Sequence, residues 1–316
     1  MAHVLARLAC IAAIALWLLA PAPARGAKAS FQLREIAPGI HLHAGVQEDW
    51  LPANGGDIAN LVLIIGRRCA AVVDTGGSPA VGRRWREAVA QRTSLPVCYV
   101  ILTHAHVDHM LGNAAFAGPD TRFVASARYA AAQTAREDYI GRSVERDFGQ
   151  HLTPADFVTP SLVVTPDKPL QLDLGGRTLR VEAWPTAHTD NDLSVYDEQT
   201  KTLVLGDLLF AGHLPVLDGK LRGWLAVMDK LHARRDVALA VPGHGAISRE
   251  WPAALDAQTR YLQALQGDVR AAIKAGLPLQ KAVDTVPCDG ASSWLLVEQF
   301  HKRNVTAAFA ELEWED

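Results

Sequence analysis

The sequence has no excess of positive charge. Its 31 lysines and arginines are outnumbered by 34 aspartates and glutamates, which gives a net charge of −3. Basic residues are not clustered with interleaved aromatic residues anywhere along the chain. Proteins that bind nucleic acid or anionic membranes depend on such positive surfaces. We therefore expect neither nucleic acid nor an anionic membrane as a partner.

The sequence also lacks an apolar run of membrane-spanning length. The run from Leu8 to Ala20 is shorter than the ~20 residues that a transmembrane helix needs. It follows Arg7 and precedes the small-residue cleavage site Ala22-Pro23-Ala24, with Ala27-Lys28-Ala29 as a second candidate. These features predict a signal peptide over residues 1–24 rather than a membrane anchor. They predict export, which in a bacterium means the periplasm, with no membrane span in the mature form.

Cysteine is scarce. Cys10 lies inside the apolar run and not after it, which argues against a lipoprotein anchor. Removal of the signal peptide leaves Cys69, Cys98 and Cys288, an odd number, so at least one thiol stays unpaired. Cys69 and Cys98 each stand five residues before a polar strand end, and neighbouring strands would bring their sulfurs together. Burial as small apolar residues is the alternative. No cysteine is assigned to a metal.

The predicted elements appear in the same order twice. In each half a hairpin ends at an aspartate, a helix follows, and an apolar strand leads to a histidine. These residues are Asp74 and His104 in the first half and Asp207 and His244 in the second. The repeated order predicts an α/β fold in which two sheets pack face to face with helices outside. Ligands are expected at the carboxyl ends of the strands.

We assign residues 31–250 to this domain and residues 251–316 to a helical C-terminal extension packed on it. The extension is expected to shape the pocket edge, with Asn304 as the cap of a last helix that runs to Glu313.

Two local predictions lie in the first half of the chain. Ser78 and Pro79 are typical of the N-cap and first position of a helix. His41 and His43 alternate with apolar residues in a predicted edge strand, and we expect them to face solvent or the sheet rim.

The segment His104-Ala105-His106-Val107-Asp108-His109 concentrates four metal-ligating side chains within six residues. It follows the apolar run 97–102, which predicts a buried strand. Histidines at i and i+2 of an extended segment project to the same side and can reach one ion. Asp108 and His109 come one turn later and could serve a second ion. The alternative is a polar loop that happens to contain three histidines.

Three further candidate ligands follow predicted strands in the second half: His188, Asp207 and His244. Each is unremarkable alone, because a lone histidine is more often a hydrogen-bonded core residue. Together with the histidine segment they suggest a dinuclear metal site.

This set of residues resembles the metallo-β-lactamase superfamily of metal hydrolases. More narrowly, the segments 188–193 and 206–216 are similar to the quinoprotein relay system zinc metallohydrolases, exported relatives linked to pyrroloquinoline-quinone (PQQ) enzyme systems. The resemblance implies a four-layer αββα sandwich, the metallo-β-lactamase fold. It covers residues 31–250.

The resemblance also implies a division of the ligands between two ions. One ion would be held by His104, His106 and His188, the second by Asp108, His109 and His244, with Asp207 bridging them. Two Zn²⁺ ions suit such ligands, and iron or manganese would also fit. Asp74 would steady the histidine loop without binding an ion.

The expected activity is that of an exported dinuclear zinc hydrolase. A metal-bridged hydroxide would cleave an ester, thioester, lactone or amide of a small-molecule substrate. Asp108 would be catalytic, orienting the hydroxide and later carrying a proton to the leaving group. His213 is expected either to donate a hydrogen bond to the substrate or to be structural. Phosphoester cleavage lacks a visible basic clamp.

Three other functions remain open. A class B β-lactamase is less favoured because those enzymes carry cysteine or serine at the position of Asp207, or lack the bridge, and glyoxalase II is the closer parallel. A quinone-binding accessory protein without turnover would also fit a functional link to a PQQ-dependent dehydrogenase. The third is a relative of the iron sulfur-dioxygenases.

Overall fold

The computed structural model describes residues 31–315. The predicted signal peptide, residues 1–24, lies outside the described residues, as do both candidate cleavage sites. Twelve strands within 31–315 form two sheets. In chain order they are β1 (Arg34–Ala37), β2 (Ile40–His43), β3 (Leu61–Ile65), β4 (Ala70–Val73), β5 (Val97–Ile101), β6 (Arg122–Ser126), β7 (Leu162–Val164), β8 (Leu170–Asp173), β9 (Thr178–Ala183), β10 (Leu193–Asp197), β11 (Thr202–Phe210) and β12 (Leu239–His244).

Eight α-helices occur in the same described part of the chain. They are α1 (Pro79–Arg92), α2 (Val107–Met110), α3 (Tyr129–Thr134), α4 (Glu137–Phe148), α5 (Leu221–Ala233), α6 (Asp256–Lys274), α7 (Leu279–Thr285) and α8 (Val297–Leu312). No helix among residues 31–315 combines the length and the apolar character needed to cross a membrane.

The sheets contain seven and five strands. The first has the order β1-β2-β3-β4-β5-β6-β7 and the second β12-β11-β10-β9-β8. Apolar side chains of both sheets, among them Ile64, Val73 and Val195, fill the space between them. Trp85 and its neighbours cover the outer face of the first sheet, and Trp224 and its neighbours that of the second. This arrangement confirms the predicted αββα sandwich.

Helix α1 begins where the sequence predicts. The Ser78 hydroxyl accepts a hydrogen bond from the Val81 amide at 3.2 Å, and Pro79 occupies the first helical position. This cap satisfies one of the amides that a helix start leaves unpaired. The helix then buries Val81, Trp85 and Val89 against the first sheet.

Three local predictions were wrong. His41 and His43 are buried rather than solvent-facing, because β2 pairs with both β1 and β3 and is not an edge strand. Asn304 does not cap a helix, since α8 already begins at Val297 and Asn304 lies fully buried in its middle. The β11 strand also continues beyond the predicted end at Asp207, as far as Phe210.

Cys69 and Cys98 form a disulfide across the neighbouring strands β4 and β5, with their Cα atoms 5.8 Å apart. Of the alternatives left open by the sequence, pairing is therefore the one observed. Cys288 is the free cysteine of the described residues.

Candidate metal centre

The seven candidate ligands meet where strand ends of both sheets come together. His104 and His106 follow β5, and His106 stands at the N-cap of α2. Helix α2 carries Asp108 and His109, while the other three side chains come from the loop after β9, from β11 and from the end of β12. The Leu193 amide donates to the Thr103 carbonyl at 2.7 Å, which links the sheets beside the site.

The first group of ligand atoms belongs to His104, His106 and His188. His188 Nε2 lies 3.1 Å from His106 Nδ1 and 3.3 Å from His104 Nε2. Asp207 Oδ2 lies 3.5 Å from His188 Nε2 and 3.8 Å from His104 Nε2. These atoms can surround one small cation.

The second group belongs to Asp108, His109 and His244. Asp108 Oδ2 lies 3.2 Å from His244 Nε2 and 3.4 Å from His109 Nε2. Asp207 also reaches this group, with Oδ1 3.2 Å from His109 Nε2 and Oδ2 3.4 Å from His244 Nε2. Asp207 thus stands between the two groups.

Each of the five imidazoles forms a hydrogen bond on the side that faces away from the centre. The pairs are His104 Nδ1 with Thr103 Oγ1 (3.1 Å), His106 Nε2 with Asp218 Oδ2 (2.9 Å), His109 Nδ1 with Asp74 Oδ2 (2.8 Å), His188 Nδ1 with the Val216 carbonyl (2.6 Å) and His244 Nδ1 with the Ile58 carbonyl (3.0 Å). Carbonyls and carboxylates accept, so a neutral ring keeps its lone pair for the inner nitrogen.

Asp74 organises the start of the histidine segment. Its carboxylate accepts hydrogen bonds from the Thr103 amide (2.8 Å), the Thr103 hydroxyl (2.7 Å) and His109 Nδ1 (2.8 Å). The Thr103 hydroxyl proton is therefore committed to Asp74, and its oxygen accepts from His104. The backbone of Asp74 is left-handed, with φ +60°, a conformation that aspartate tolerates better than most residues. One carboxylate thereby fixes two imidazoles.

Two atoms at the centre have no hydrogen-bond partner although they are buried: His109 Nε2 and Asp207 Oδ1. They face each other at 3.2 Å, and when the His109 ring is neutral, with Nδ1 donating to Asp74, both present lone pairs. Burial of opposed lone pairs costs free energy unless a proton or cation lies between them. The residues present therefore fit the metal binding that the resemblance implies.

In the metal-free chain, histidines of the two ligand groups differ in their charge. Burial lowers the pKa of His188 to about 3 and that of His104 well below its ordinary value, so both rings are neutral. Burial also opposes protonation of His244, but Asp207 and Asp108 outweigh it and raise its pKa to about 9. The same carboxylates and Asp74 raise the pKa of His109. In the metal-free chain, protons on His109 and His244 therefore balance the charge of the carboxylates that a cation would otherwise balance.

A cavity of about 600 Å³ opens over this centre. Its wall is partly apolar and aromatic, including Trp50, Phe210 and Phe300. The dimensions suit a small-molecule ligand.

Three arginines also line the cavity, although no basic clamp is visible in the sequence. Arg136 is the N-cap of α4 and Arg146 lies in the last turn of the same helix, whereas Arg303 comes from α8, so the fold brings α8 to the cavity beside α4. Arg146 pairs with Asp147, while Arg136 and Arg303 both pair with Asp218.

His213 lines the cavity and stacks on Phe210 and His244, with ring centroids 5.2 Å away in both cases. Its Nδ1 lies 2.7 Å from the Leu214 carbonyl, which can only accept, so Nδ1 carries the proton. Burial lowers the pKa of His213 to about 4 and keeps the ring neutral. Its Nε2 is therefore an acceptor, which does not match the substrate donor that was one of the two roles the sequence left open, the other being structural.

Sequence reasoning missed two residues that hold the histidine segment. Asp218 accepts from His106 Nε2, and Asn191 Oδ1 accepts from the Ala105 amide at 2.9 Å. Asp218 precedes a glycine, which locally indicates only a turn. Neither role has a local sequence signal, because each depends on a contact across more than 80 positions.

Comparisons with known proteins identify both the fold and the family of this chain. The metallo-β-lactamase superfamily sequence model matches residues 54–257. No curated protein sequence matches the chain. A solved β-lactamase domain protein from Burkholderia ambifaria is 19% identical, with a TM-score of 0.66 over 92% of this chain and 90% of that one. A metallo-β-lactamase from Pontibacter korlensis is 20% identical, with a TM-score of 0.59 over 73% and 98%.

A third solved structure is much longer than this chain. The inverting sec-alkylsulfatase of a Pseudomonas species is 17% identical, with a TM-score of 0.71 over 90% of this chain. The chain spans about half of the alkylsulfatase, 50% of its length. At these identities the likeness concerns the fold, and the family follows from the sequence match over most of the chain. The chain belongs to the metallo-β-lactamase superfamily.

Proposed function

We propose that the chain is a metal-dependent hydrolase that cleaves an ester, thioester, lactone or amide of a small molecule. The observation that carries this proposal is the set of seven inward-facing ligand atoms beneath a cavity of ligand size. Nitrogen and carboxylate ligands without thiolate suit Zn²⁺, and iron or manganese would also be accommodated.

In this proposal His104, His106 and His188 hold one ion, Asp108, His109 and His244 hold the second, and Asp207 contacts both. The bound metal would supply Lewis acidity and a nucleophilic water near neutral pH. The chain's own residues provide the rest. The buried rings and their outward hydrogen bonds fix the ligand geometry in advance, which lowers the cost of assembling the site.

Asp108 is proposed as the catalytic proton carrier. It lines the cavity and contacts His244 Nε2. Burial alone would raise its pKa, but His109 and His244 hold the pKa well below its ordinary value. The carboxylate is therefore ionised and can orient the nucleophile. Because so low a pKa makes it a weak base, a proton that it takes up would pass on to the leaving group rather than stay. His213 Nε2 would accept a hydrogen bond from the substrate.

We also propose that the mature chain works in the periplasm and serves a PQQ-linked enzyme system. The signal-like N-terminus supports export, and so does the Cys69–Cys98 disulfide, because disulfides persist in oxidising compartments. The link to a PQQ-dependent dehydrogenase rests on the sequence segments that resemble the quinoprotein relay hydrolases.

A panel of ester, thioester, lactone and amide substrates tests the enzymatic proposal. Turnover should require added Zn²⁺ and should be lost in His106→Ala but kept in Asp229→Ala, an exposed change on α5. Nitrocefin hydrolysis alone would favour the β-lactamase alternative. Quinone binding without turnover would favour the accessory protein, and one iron per chain would favour the sulfur-dioxygenase relative.

Hydrolysis of a sulfate ester is a second candidate. The observation that favours it is the presence of Arg136, Arg146 and Arg303 in the cavity wall, since guanidinium groups bind tetrahedral anions. The solved sec-alkylsulfatase has this fold. Release of sulfate from a secondary alkyl sulfate would support this candidate. If the chain cleaves the carboxylic ester of the same secondary alcohol but not its sulfate ester, this candidate is excluded.

A further inference from the structure

The loop of residues 215–218, between β11 and α5, holds two of the candidate ligands. The Val216 carbonyl accepts from His188 Nδ1 at 2.6 Å, and Asp218 Oδ2 accepts from His106 Nε2 at 2.9 Å. The Asp218 amide also donates to the His188 carbonyl at 3.0 Å. This loop therefore sets the orientation of two of the three rings in the first ligand group, His106 and His188.

Helix α8 of the C-terminal extension fixes this loop. Asn304 Oδ1 accepts from the Leu217 amide at 2.9 Å, and Asn304 Nδ2 donates to the Pro215 carbonyl at 2.6 Å. The guanidinium of Arg303 hydrogen-bonds to Asp218. Asn304 is fully buried and Tyr261 of α6 also accepts from it at 2.8 Å, so its amide has one defined orientation.

The second ligand group has separate supports. His109 is held by Asp74 and His244 by the Ile58 carbonyl. Neither hydrogen bond involves the 215–218 loop or α8. A change in α8 should therefore affect the two groups unequally.

We infer that Arg303 and Asn304 are positioning residues for the first metal ion, acting through the 215–218 loop on His106 and His188. This inference rests on the proposed metal binding. Helix α8 therefore helps to organise the metal site. Asn304 holds the loop backbone, and Arg303 holds the Asp218 carboxylate that orients His106. Residues that orient metal ligands typically change metal affinity about 10–100-fold when removed.

Zinc affinity of the mature chain, residues 25–316, tests the inference by competition with a chelator. Arg303→Met and Asn304→Ala should each weaken one ion about 10–100-fold and leave the other within about threefold. Lys302→Ala, on the exposed side of α8, should leave both unchanged. In a His106→Ala background, Arg303→Met should have no effect on the remaining ion.

The melting temperature of the metal-free variants separates positioning from folding. Arg303 is half exposed, so Arg303→Met is expected to fold like the unmodified chain. Equal weakening of both ions, or unchanged affinity in Arg303→Met and Asn304→Ala, would overturn the inference while the hydrolase proposal stands. If the unmodified chain binds neither zinc nor iron nor manganese, the proposed function itself fails.

Discussion

At the scale of single residues, Asp207 is the side chain on which both ligand groups depend. Its two oxygens lie between 3.2 and 3.8 Å from four imidazole nitrogens. The neighbouring Gly243 leaves room for this carboxylate, since a Cβ there would collide with Asp207 Oδ1. Any side chain at position 243 would therefore displace this carboxylate.

Asp207→Ala should therefore impair both ions. We expect the zinc affinity of each to fall by more than the ~10–100-fold that follows loss of an outer hydrogen-bonding partner. Asp229→Ala removes a carboxylate from an exposed position of α5 and should change neither affinity. Metal content after dialysis against a weak chelator measures both. Retention of two ions by Asp207→Ala would show that this residue is not a shared ligand.

Zinc binding should release protons at neutral pH. The pKa of His244 is raised to about 9 and that of His109 is also raised in the metal-free chain, so both rings are protonated at pH 7. A metal needs their lone pairs, so binding displaces these protons and weakens as the pH falls below about 9.

Calorimetry in buffers of different ionisation enthalpy measures this release. At least one proton per chain should appear at pH 7, and fewer above the pKa of about 9. His244→Ala should remove about one proton from the count. Heat of binding that does not depend on the buffer would contradict the prediction.

At the scale of elements, Arg177 ties the sheets together away from the metal centre. Its buried guanidinium pairs with Asp197 of β10 at 2.8 Å and donates to the carbonyls of Pro38 and Ile65. Removing one partner of such a pair leaves an uncompensated buried charge. Arg177→Ala should lower the free energy of unfolding by about 3–5 kcal/mol.

Urea unfolding of the metal-free chain measures this loss. Arg270→Ala breaks an exposed pair with Glu315 and should cost less than about 1 kcal/mol. Similar losses in the two variants would show that burial does not strengthen the Arg177 contact.

Strands and helices with a strong local pattern were predictable, whereas roles set by distant contacts were not. Ser78 and Pro79 mark the start of α1 through local chemistry that any chain would share. Asn304 looked like a helix cap because asparagine favours that position, yet its partners are residues 215 and 217, nearly 90 positions away. His41 was misplaced because the pairing of β2 on both sides cannot be read from its own sequence.

At the scale of the whole molecule, the disulfide joins strands that the sequence could only suggest as neighbours. Thiol titration of the unfolded chain, residues 25–316, should find one free thiol, that of Cys288. After reduction of the disulfide it should find three. For a sequence separation of 29, the Cys69→Ser/Cys98→Ser variant should lose about 3–4 kcal/mol of unfolding free energy. Three thiols in the protein purified without reductant would contradict both the pairing and the proposed compartment.

The seven candidate ligands were identified from type and order along the chain, and the fold brings all seven together. Motif chemistry indicated this candidate set because the short segment 104–109 contains four of the seven residues. The supports of the site, Asp218 and the α8 residues that hold it, could not be found this way, because an aspartate in a turn and an asparagine in a helix carry no metal-specific pattern.

Anomalous X-ray diffraction from zinc-loaded crystals of residues 25–316 tests the central claim most directly. We predict two peaks, one among His104, His106 and His188 and the other among Asp108, His109 and His244, with Asp207 contacting both. A single peak, or zinc bound away from these seven side chains, would contradict a paired metal centre.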